Sequence, residues 1–470
     1  MKIRSSALAV SAALALAACG TSGPAGKVAA GTPPQWQAPL PHNGSITDLA
    51  GWWQHQGDPL LVELIEAAQQ ASPSIASAQS RIAQSRAARV ASGAALAPQV
   101  NAVATSTRMS KQSEAPVNTT SQAMLQASWE IDLFGANRAT RDAAQARYES
   151  AQAGWHEARV SVAAETANQY YSLRACERLL AVAHEDSVSR QQTANLTQLS
   201  AKAGFQSPAN AALASASAAD GRSREVAQRA ACDIDVKALV ALTALGEPEL
   251  RQKLGANAAQ AALVPAQGVG IASLPAHTLS QRPDVFTAER EVAASSFEVA
   301  GAQAERFPSL SISGSVGRGR IHANGANVTA NTWTVGPLQM TLPIFDAGTR
   351  RANVDAAKAR YEAAVSGYRG SVRQAVREVE EALVNLDSTA QRGNDAQTAL
   401  DGYRLNFTAT EDRYKNGLAS LFELEDARRT RLAAETTVVG LQRERSAAWI
   451  ALYRAAGGGW QAQSTDTEKP

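Results

Sequence analysis

Proline is absent from the chain between Pro343 and Pro470, so nothing in that stretch forces a helix to end. Aromatic residues make up only 5 % of the 470 residues, which excludes a bulky ring-filled core and, with abundant Ala, Gln and Arg, favours long helices. There are three cysteines and six scattered histidines. That excludes a disulfide-dense scaffold, and no His-Glu-x-x-His or comparable ligand cluster calls for a metal. No Gly-x-Ser-x-Gly occurs, and the glycine-rich Gly314–Gly319 run lies inside a strand pattern without the strand-to-helix setting of a phosphate loop. No enzyme activity and no cofactor is therefore expected. The formal charge of +2 gives no reason to expect nucleic acid. No apolar run after the first residues is long enough for a transmembrane helix, so a membrane crossing would have to be made with strands.

What the chain does have is a very long helix pattern. From Gly348 to Lys415 an apolar stripe runs through Val354, Ala357, Tyr361, Val365, Tyr368, Val372, Val376, Val379, Leu383, Leu386 and Ala390. These eleven positions span 36 residues in ten steps, a mean of 3.6, the α-helical repeat. Sixty-eight helical residues would make a rod of roughly 100 Å. The rod has a twin. Asp142–Glu149 reads like Asp355–Glu362, and Gly135, Gly154, Lys202, Gly204 and Ser207 recur 213 residues later as Gly348, Gly367, Lys415, Gly417 and Ser420. An earlier part repeats at 210, with Pro73 on Pro283 and Pro98 on Pro308. The chain is thus a duplicated unit of about 210 residues, and the three-residue difference falls between Pro98 and Gly135.

The N-terminus reads as a targeting segment: Lys2 and Arg4, the short apolar run Ala7–Ala18, then Leu16-Ala17-Ala18-Cys19, which resembles the bacterial lipobox. By that resemblance residues 1–18 are a cleaved signal peptide, and Cys19 carries diacylglycerol and an acyl chain such as palmitate. Gly20, where an aspartate would favour retention, points to the outer membrane. Residues 19–50 read as an extended lipid-anchored tether, 51–265 as the first repeat, 266–459 as the second and 460–470 as a flexible tail. Cys176 and Cys232 are centred on Gly204; in an antiparallel helical hairpin they lie level, either as a disulfide or as two buried thiols.

Between the helices the period changes to 2. Ala123, Leu125, Ala127, Trp129, Ile131 and Leu133 alternate with mostly polar neighbours, and Leu310, Ile312, Gly314 and Val316 alternate with serines. The return strand Thr332–Phe345 changes register at Gly336-Pro337, predicting a bulge or kink. Each run is about 10–13 residues, the length a tilted strand needs to cross the hydrocarbon layer. A repeat reads helix, two strands, long helix, long helix. Duplicated, it yields four strands, too few to close a transmembrane barrel, so several copies must share one. Two copies give a barrel filled by side chains; a conduit needs at least three.

In this order the elements resemble the TolC family of outer-membrane efflux proteins, lipoprotein branch of OprM and NodT type. The matching stretches are Gly51-Trp-Trp with Asp58-Pro-Leu-Leu, Gln281-Arg-Pro-Asp-Val285, Phe307-Pro-Ser-Leu-Ser-Ile312, Leu342-Pro-Ile-Phe-Asp-Ala-Gly348 and Tyr414-Lys-Asn-Gly-Leu-Ala-Ser420. The resemblance implies a homotrimer with a twelve-stranded outer-membrane β-barrel continued by a twelve-helix periplasmic α-barrel. It further implies a periplasmic adaptor and an inner-membrane pump of RND type as partners in expelling drugs or other toxic solutes. The same fold also serves type I protein secretion, and a non-conducting lipid-anchored coiled-coil scaffold is the reading from a different class. In the family the two helical turns form the adaptor-binding tip, here Gly204 with Phe205 and Gly417 with Leu418. The same apolar side chains could instead pack on neighbouring helices. The family's valine before each glycine is replaced by Ala203 and Asn416. Glu423 and Asp426 share one helix face and match acidic gate residues; they could equally pair with Arg428 and Arg429. A family arginine of the gate falls near Ala419, whereas Tyr414 is retained and could hydrogen-bond across the tip.

Overall fold

The computed structural model describes residues 21–40, 51–111, 115–258, 262–266, 269, 275–323 and 325–460. Residues 1–18, Cys19 and the end of the tail lie outside them. Helices α1 (Pro59–Ala71) and α2 (Pro73–Ala94) lead into strands β1 (Gln99–Lys111) and β2 (Ala115–Ile131), then helices α3 (Ala136–Lys202) and α4 (Pro208–Thr243). Short helices α5 (Glu247–Ala256) and α6 (Pro275–Leu279) precede α7 (Pro283–Ala304), β3 (Ser309–Ala323), β4 (Ala326–Thr341), α8 (Thr349–Lys415) and α9 (Leu421–Ala455).

The duplication is visible in element lengths. Helices α2 and α7 both have 22 residues, and α3 and α8 both have 67. The strands β2 and β4 end 210 apart (131 and 341), whereas α3 and α8 start 213 apart (136 and 349). The three extra residues therefore sit in the segment after the second strand of each pair: 132–135 in the first repeat, 342–348 in the second. The longer link presents Ile344 and Phe345, 92 % and 90 % exposed in the single chain.

The four strands form one antiparallel sheet in the order β1-β2-β3-β4. Cross-strand partners share a face. Leu125 pairs with Val316 and Val316 with Trp333, while Trp129 pairs with Ile312 and Ile312 with Leu338, so one face is apolar. The other carries Gln122, Gln126, Ser128, Ser311 and Ser315. The strands, at 13 to 17 residues, are longer than the alternation predicted, because pairing continues past the apolar stretch toward the hairpins. The ladder shifts register between Ile312 and Gly314, opposite Gly336-Pro337, whose peptide is cis. β4 ends at Thr341 rather than at Phe345, since Pro343 has no N–H to give the ladder.

The chain forms two compact units. Among the described residues, one comprises 21–30, 78–154 and 286–371 and holds the sheet. Its helices touch through small side chains, Ala143 and Ala146 against Ala293 and Ala294. The segment 21–27 lies on them: Thr21 Oγ1 donates to the carbonyls of Phe134 and Ala300 at 3.1 Å, and Tyr361 Oη donates to the Ala25 carbonyl at 2.8 Å.

The other comprises the described residues within 31–77, 155–285 and 372–460. Its core buries Trp52, Leu61, Leu64, Tyr170, Leu239 and Ile450 completely or nearly so. Trp52 stacks on Tyr453 with ring centroids 5.0 Å apart. The Arg282-Pro283-Asp284 motif is a structural lock: buried Arg282 donates to Asp284 (2.6 Å), to Glu378 of α8 (2.7 Å) and to the Ala455 carbonyl ending α9 (2.8 Å). Cys176 of α3 and Cys232 of α4 form a disulfide with Cα atoms 5.5 Å apart. The helix α5 begins at Gly246-Glu247-Pro248-Glu249, an N-terminal pattern with proline at N2 and acids in the first turn.

Asp58 gathers this unit. Its Oδ1 accepts from the N–H groups of Leu60 and Leu61, capping α1, and from Asn257 Nδ2 at 2.9 Å. Its Oδ2 accepts from the Tyr170 hydroxyl at 2.5 Å. Burial, helped by that bond, pushes the Tyr170 phenol well above its ordinary range, so it remains a donor. Asp58→Ala should cost about 3 kcal/mol, because it removes a cap and leaves the buried Tyr170 hydroxyl without an acceptor, while Asn257 Nδ2 keeps only the Tyr170 oxygen at 3.1 Å. Denaturant unfolding of the solubilised protein measures this; a loss no larger than that of an exposed carboxylate would contradict the role.

Candidate channel gate and docking tip

Both helical hairpins turn the same way, for the same backbone reason. Gly204 and Gly417 have φ of 80° and 73°, the left-handed region glycine enters without a Cβ clash. The following N–H reaches back five residues: Phe205 N–H to the Ser200 carbonyl at 2.9 Å, Leu418 N–H to the Arg413 carbonyl at 2.7 Å. This is the Schellman ending, which satisfies carbonyls at the helix terminus. Ser207 and Ser420 then cap α4 and α9, accepting from the N–H groups of Asn210 (3.1 Å) and Glu423 (3.2 Å). The geometry leaves Phe205 84 % and Leu418 70 % exposed. It also exposes Phe422 at 77 %, a residue the sequence reading passed over. A signal was there: Leu421 and Leu424 share the buried face of the first turn of α9, so a phenylalanine between them must point outward.

Beneath the turns, Phe407, Tyr414, Leu421 and Leu424 pack with Ala194, Ala214 and Ala218. Tyr414 is buried, and its hydroxyl shares a 2.8 Å hydrogen bond with Thr197 Oγ1, joining α8 to α3 within the chain.

The two acids are exposed, and each has a partner of its own. Glu423 completes a capping box, accepting from the Ser420 N–H at 2.7 Å and hydroxyl at 3.1 Å. The Ser420 N–H is the main reason its carboxyl is held below the ordinary value. With a depressed folded-state pKa, the cap is complete above the usual carboxylate range and is lost as pH falls through the lowered value. Asp426 pairs with Arg429. Arg428 does not join them: it turns inward.

That inward turn creates a charge cluster the sequence reading missed. Arg428, 0 % exposed, pairs with Glu425 and donates to Ser189 Oγ (3.1 Å) and Thr193 Oγ1 (3.0 Å) of α3. Glu425 also accepts from Arg190 of α3 at 2.6 Å and from Ser217 of α4 at 3.0 Å. Arg190 in turn holds Asp186 at 2.8 Å. Arg224 of α4 also reaches Asp186, at 3.3 Å, so three guanidinium groups and two carboxylates meet across α3, α4 and α9. Burial pulls the Arg428 guanidinium below its ordinary value, and Glu425 offsets part of that. Gly221 makes the room: a Cβ there would lie 2.8 Å from Arg190 Cδ. In sequence, Arg428 and Arg429 are indistinguishable; only helix phase separates them.

The profile of the outer membrane efflux protein family matches residues 64–245 and again residues 274–458. The chain belongs to that family. The two matches begin 210 residues apart (64 and 274) and end 213 apart (245 and 458), the same offsets as the structural repeat. Among its relatives is the pyoverdine export outer membrane protein OpmQ of Pseudomonas aeruginosa, 27 % identical, with 96 % of each chain covered. Another is the toluene efflux pump outer membrane protein TtgC of Pseudomonas putida, 29 % identical, covering 92 % of this chain and 90 % of the relative. The outer-membrane channel OprN superposes with a TM-score of 0.78 at 25 % identity, over 94 % of this chain and 97 % of that one. The Campylobacter jejuni outer membrane channel CmeC gives 0.81 at 21 % identity, over 94 % and 96 %. The fold is that of the trimeric TolC-like channels, and the protein is an outer-membrane efflux channel. Members of the family are channels rather than enzymes.

Arg190→Met should destabilise the hairpin pair by about 1–3 kcal/mol, since Asp186 and Glu425 each lose one of two guanidinium partners and keep only Arg224 and Arg428 respectively. Gly221→Ala should cost about 1–3 kcal/mol through displacement of the same arginine. Thermal unfolding of both, with Arg429→Met as an exposed control expected within about 0.5 kcal/mol of the parent, tests the cluster. Equal effects of Arg190→Met and Arg429→Met would show that the cluster carries no stability.

Proposed function

We propose that three copies of this chain form the exit duct of a tripartite efflux assembly. A periplasmic adaptor delivers drugs or other small toxic solutes from an inner-membrane pump, of RND type, into its lumen. The observation that carries the reading is the pair of equivalent hairpin ends, each presenting an unpartnered large apolar side chain, Phe205 and Leu418, beside a rigid glycine turn. An apolar residue held out at a helix end is stabilised by a partner that covers it. The names of the relatives, toluene efflux pump outer membrane protein among them, support the solute class.

The rest of the reading follows from the same assembly. Residues 1–18 direct export, Cys19 is lipidated in the outer membrane, and 19–50 run from the lipid to the first repeat (51–265), followed by the second (266–459) and the tail (460–470). At the tip, three copies of Glu423 and Asp426 bring carboxylates around one axis. Like charges so close repel, which favours a wider opening, and a ring of acids selects cations. Their exposure supports this role, while the Ser420 and Arg429 partners temper the charge each one presents.

Glu423→Gln together with Asp426→Asn removes the charge and keeps hydrogen-bonding shape. In planar bilayers the double variant should lose cation preference and change its single-channel conductance; unchanged ion selectivity would remove these residues from the gate. A photo-crosslinker in place of Phe205 or Leu418 should capture a co-expressed adaptor, and one at exposed Val226 of α4, away from the turns, should not. Equal capture from all three positions would argue against tip docking.

A further inference from the structure

The apolar face of the sheet does not stay apolar to the hairpins. Along β3 the residues on that face are Leu310, Ile312, Gly314 and Val316, then Arg318, Arg320 and His322. Their partners change in step. Val316 lies between Leu125 and Trp333, but Arg318 lies between Ala123 and Asn331, and Arg320 between Ser121 and Thr329. His322 lies between Thr119 and Asn327, and Thr119 is paired on its other side with Arg108. Three arginines and a histidine therefore occupy the same outward surface as the apolar band, immediately beyond it. All four are exposed. Arg320 Nε donates to Asn327 Oδ1 at 3.2 Å and His322 Nδ1 meets the same oxygen at 2.9 Å, which holds the two side chains together.

Among the described residues of these strand stretches no acid balances them. The sequence has no Asp or Glu from Phe307 to Leu342, and between Gln99 and Trp129 the only one is Glu114. The position is defined by the strand rise. Arg318 stands eight residues beyond Leu310, about 26 Å along the strand, or about 20 Å of bilayer thickness at the usual barrel tilt. The arginines thus begin where hydrocarbon gives way to headgroups, on the side of the hairpins, away from the helices that follow and precede the strands. A guanidinium fork at that level matches a phosphate, and its neutral neighbours (Asn331, Thr329, Ser121) offer further donors.

We propose that Arg108, Arg318, Arg320 and His322 form a docking row for the phosphate groups of an acylated, anionic lipid in the outer leaflet, held by its chains on the adjoining apolar band. Continuity with the lipid-facing surface and the absence of carboxylates favour this occupant over a soluble protein. The inference rests on the channel reading only for the orientation of the sheet in the membrane.

Trimers purified in non-ionic detergent can be titrated with lipid A, intact or chemically dephosphorylated, and bound lipid counted by native mass spectrometry. Intact lipid A should bind with clear preference. R318S/R320S should weaken it by about twenty-five-fold, on the basis of roughly fivefold for each basic residue at a lipid surface. R318K/R320K should keep most of the affinity. N331D, which sets a carboxylate against Arg318 without removing any cation, should weaken binding as well, and guards against loss through misfolding of the double variant. Inorganic phosphate in excess should not displace the lipid. Equal binding of intact and dephosphorylated lipid A, undiminished binding to R318S/R320S and N331D, or displacement by inorganic phosphate would each overturn the proposal. Single-channel conductance of R318S/R320S should match that of the parent, which keeps a failure here separate from a failure of the channel reading.

Discussion

Backbone hydrogen bonding in a medium without water is the constraint on which this molecule depends. Four strands in the order β1-β2-β3-β4 satisfy their inner ladders, but the outer edges of β1 and β4 have no partner among the described residues of the chain. In hydrocarbon each unmet N–H or carbonyl costs several kcal/mol, so an open sheet cannot persist there. Closure has to come from other copies of the same chain, as in the trimeric channels that share this fold. The oligomer is a condition of the strands existing in a membrane at all.

The helices answer a different demand. A 67-residue helix with few aromatics must pack over its whole length against others like it, and small side chains such as Ala143, Ala146, Ala293 and Ala294 let helices approach closely. Where the packing must be specific, the chain adds polar fasteners. Arg282 binds α8 and the end of α9, Asp58 gathers α1, α3 and α5, and the Arg190–Glu425–Arg428 group ties α9 to the first hairpin. Each is a buried charge held by partners on other helices, though Arg428 Nε and Asp186 Oδ1 find no hydrogen-bond partner among the described residues, which suits a register-setting role better than a simple gain in stability. Tyr414 and Thr197 add a neutral link at the same level.

The parts of this design legible in the sequence were the periodic ones. The Gly348–Lys415 stretch, carrying the 3.6-residue stripe from Val354 to Ala390, marked α8 to within one residue of its start, because a helix that long averages out local preference. The alternation of Leu310, Ile312, Gly314 and Val316 with serines marked β3 and its two faces. The repeat offset even showed that three residues were inserted, though only the strand ends located them at 342–348. The local arrangements at the tip were less legible. Glu423 and Asp426 stood out as a pair of acids, yet one is a capping-box residue and the other an ion-pair partner. Neighbouring Glu425, unremarkable in sequence, is the acid that two arginines share.

By itself, then, the sequence determined that this chain is a duplicated rod-and-hairpin unit with too little sheet to close alone. Periodicity and repetition are properties of the chain written along its length, and they survive without coordinates. The tertiary structure decided which charges are buried, because an arginine at 428 and one at 429 differ by about 100° around a helix axis and so meet entirely different neighbours. It also decided where the outward face of the sheet passes from apolar to basic, since that boundary is set by cross-strand register, which no single strand contains.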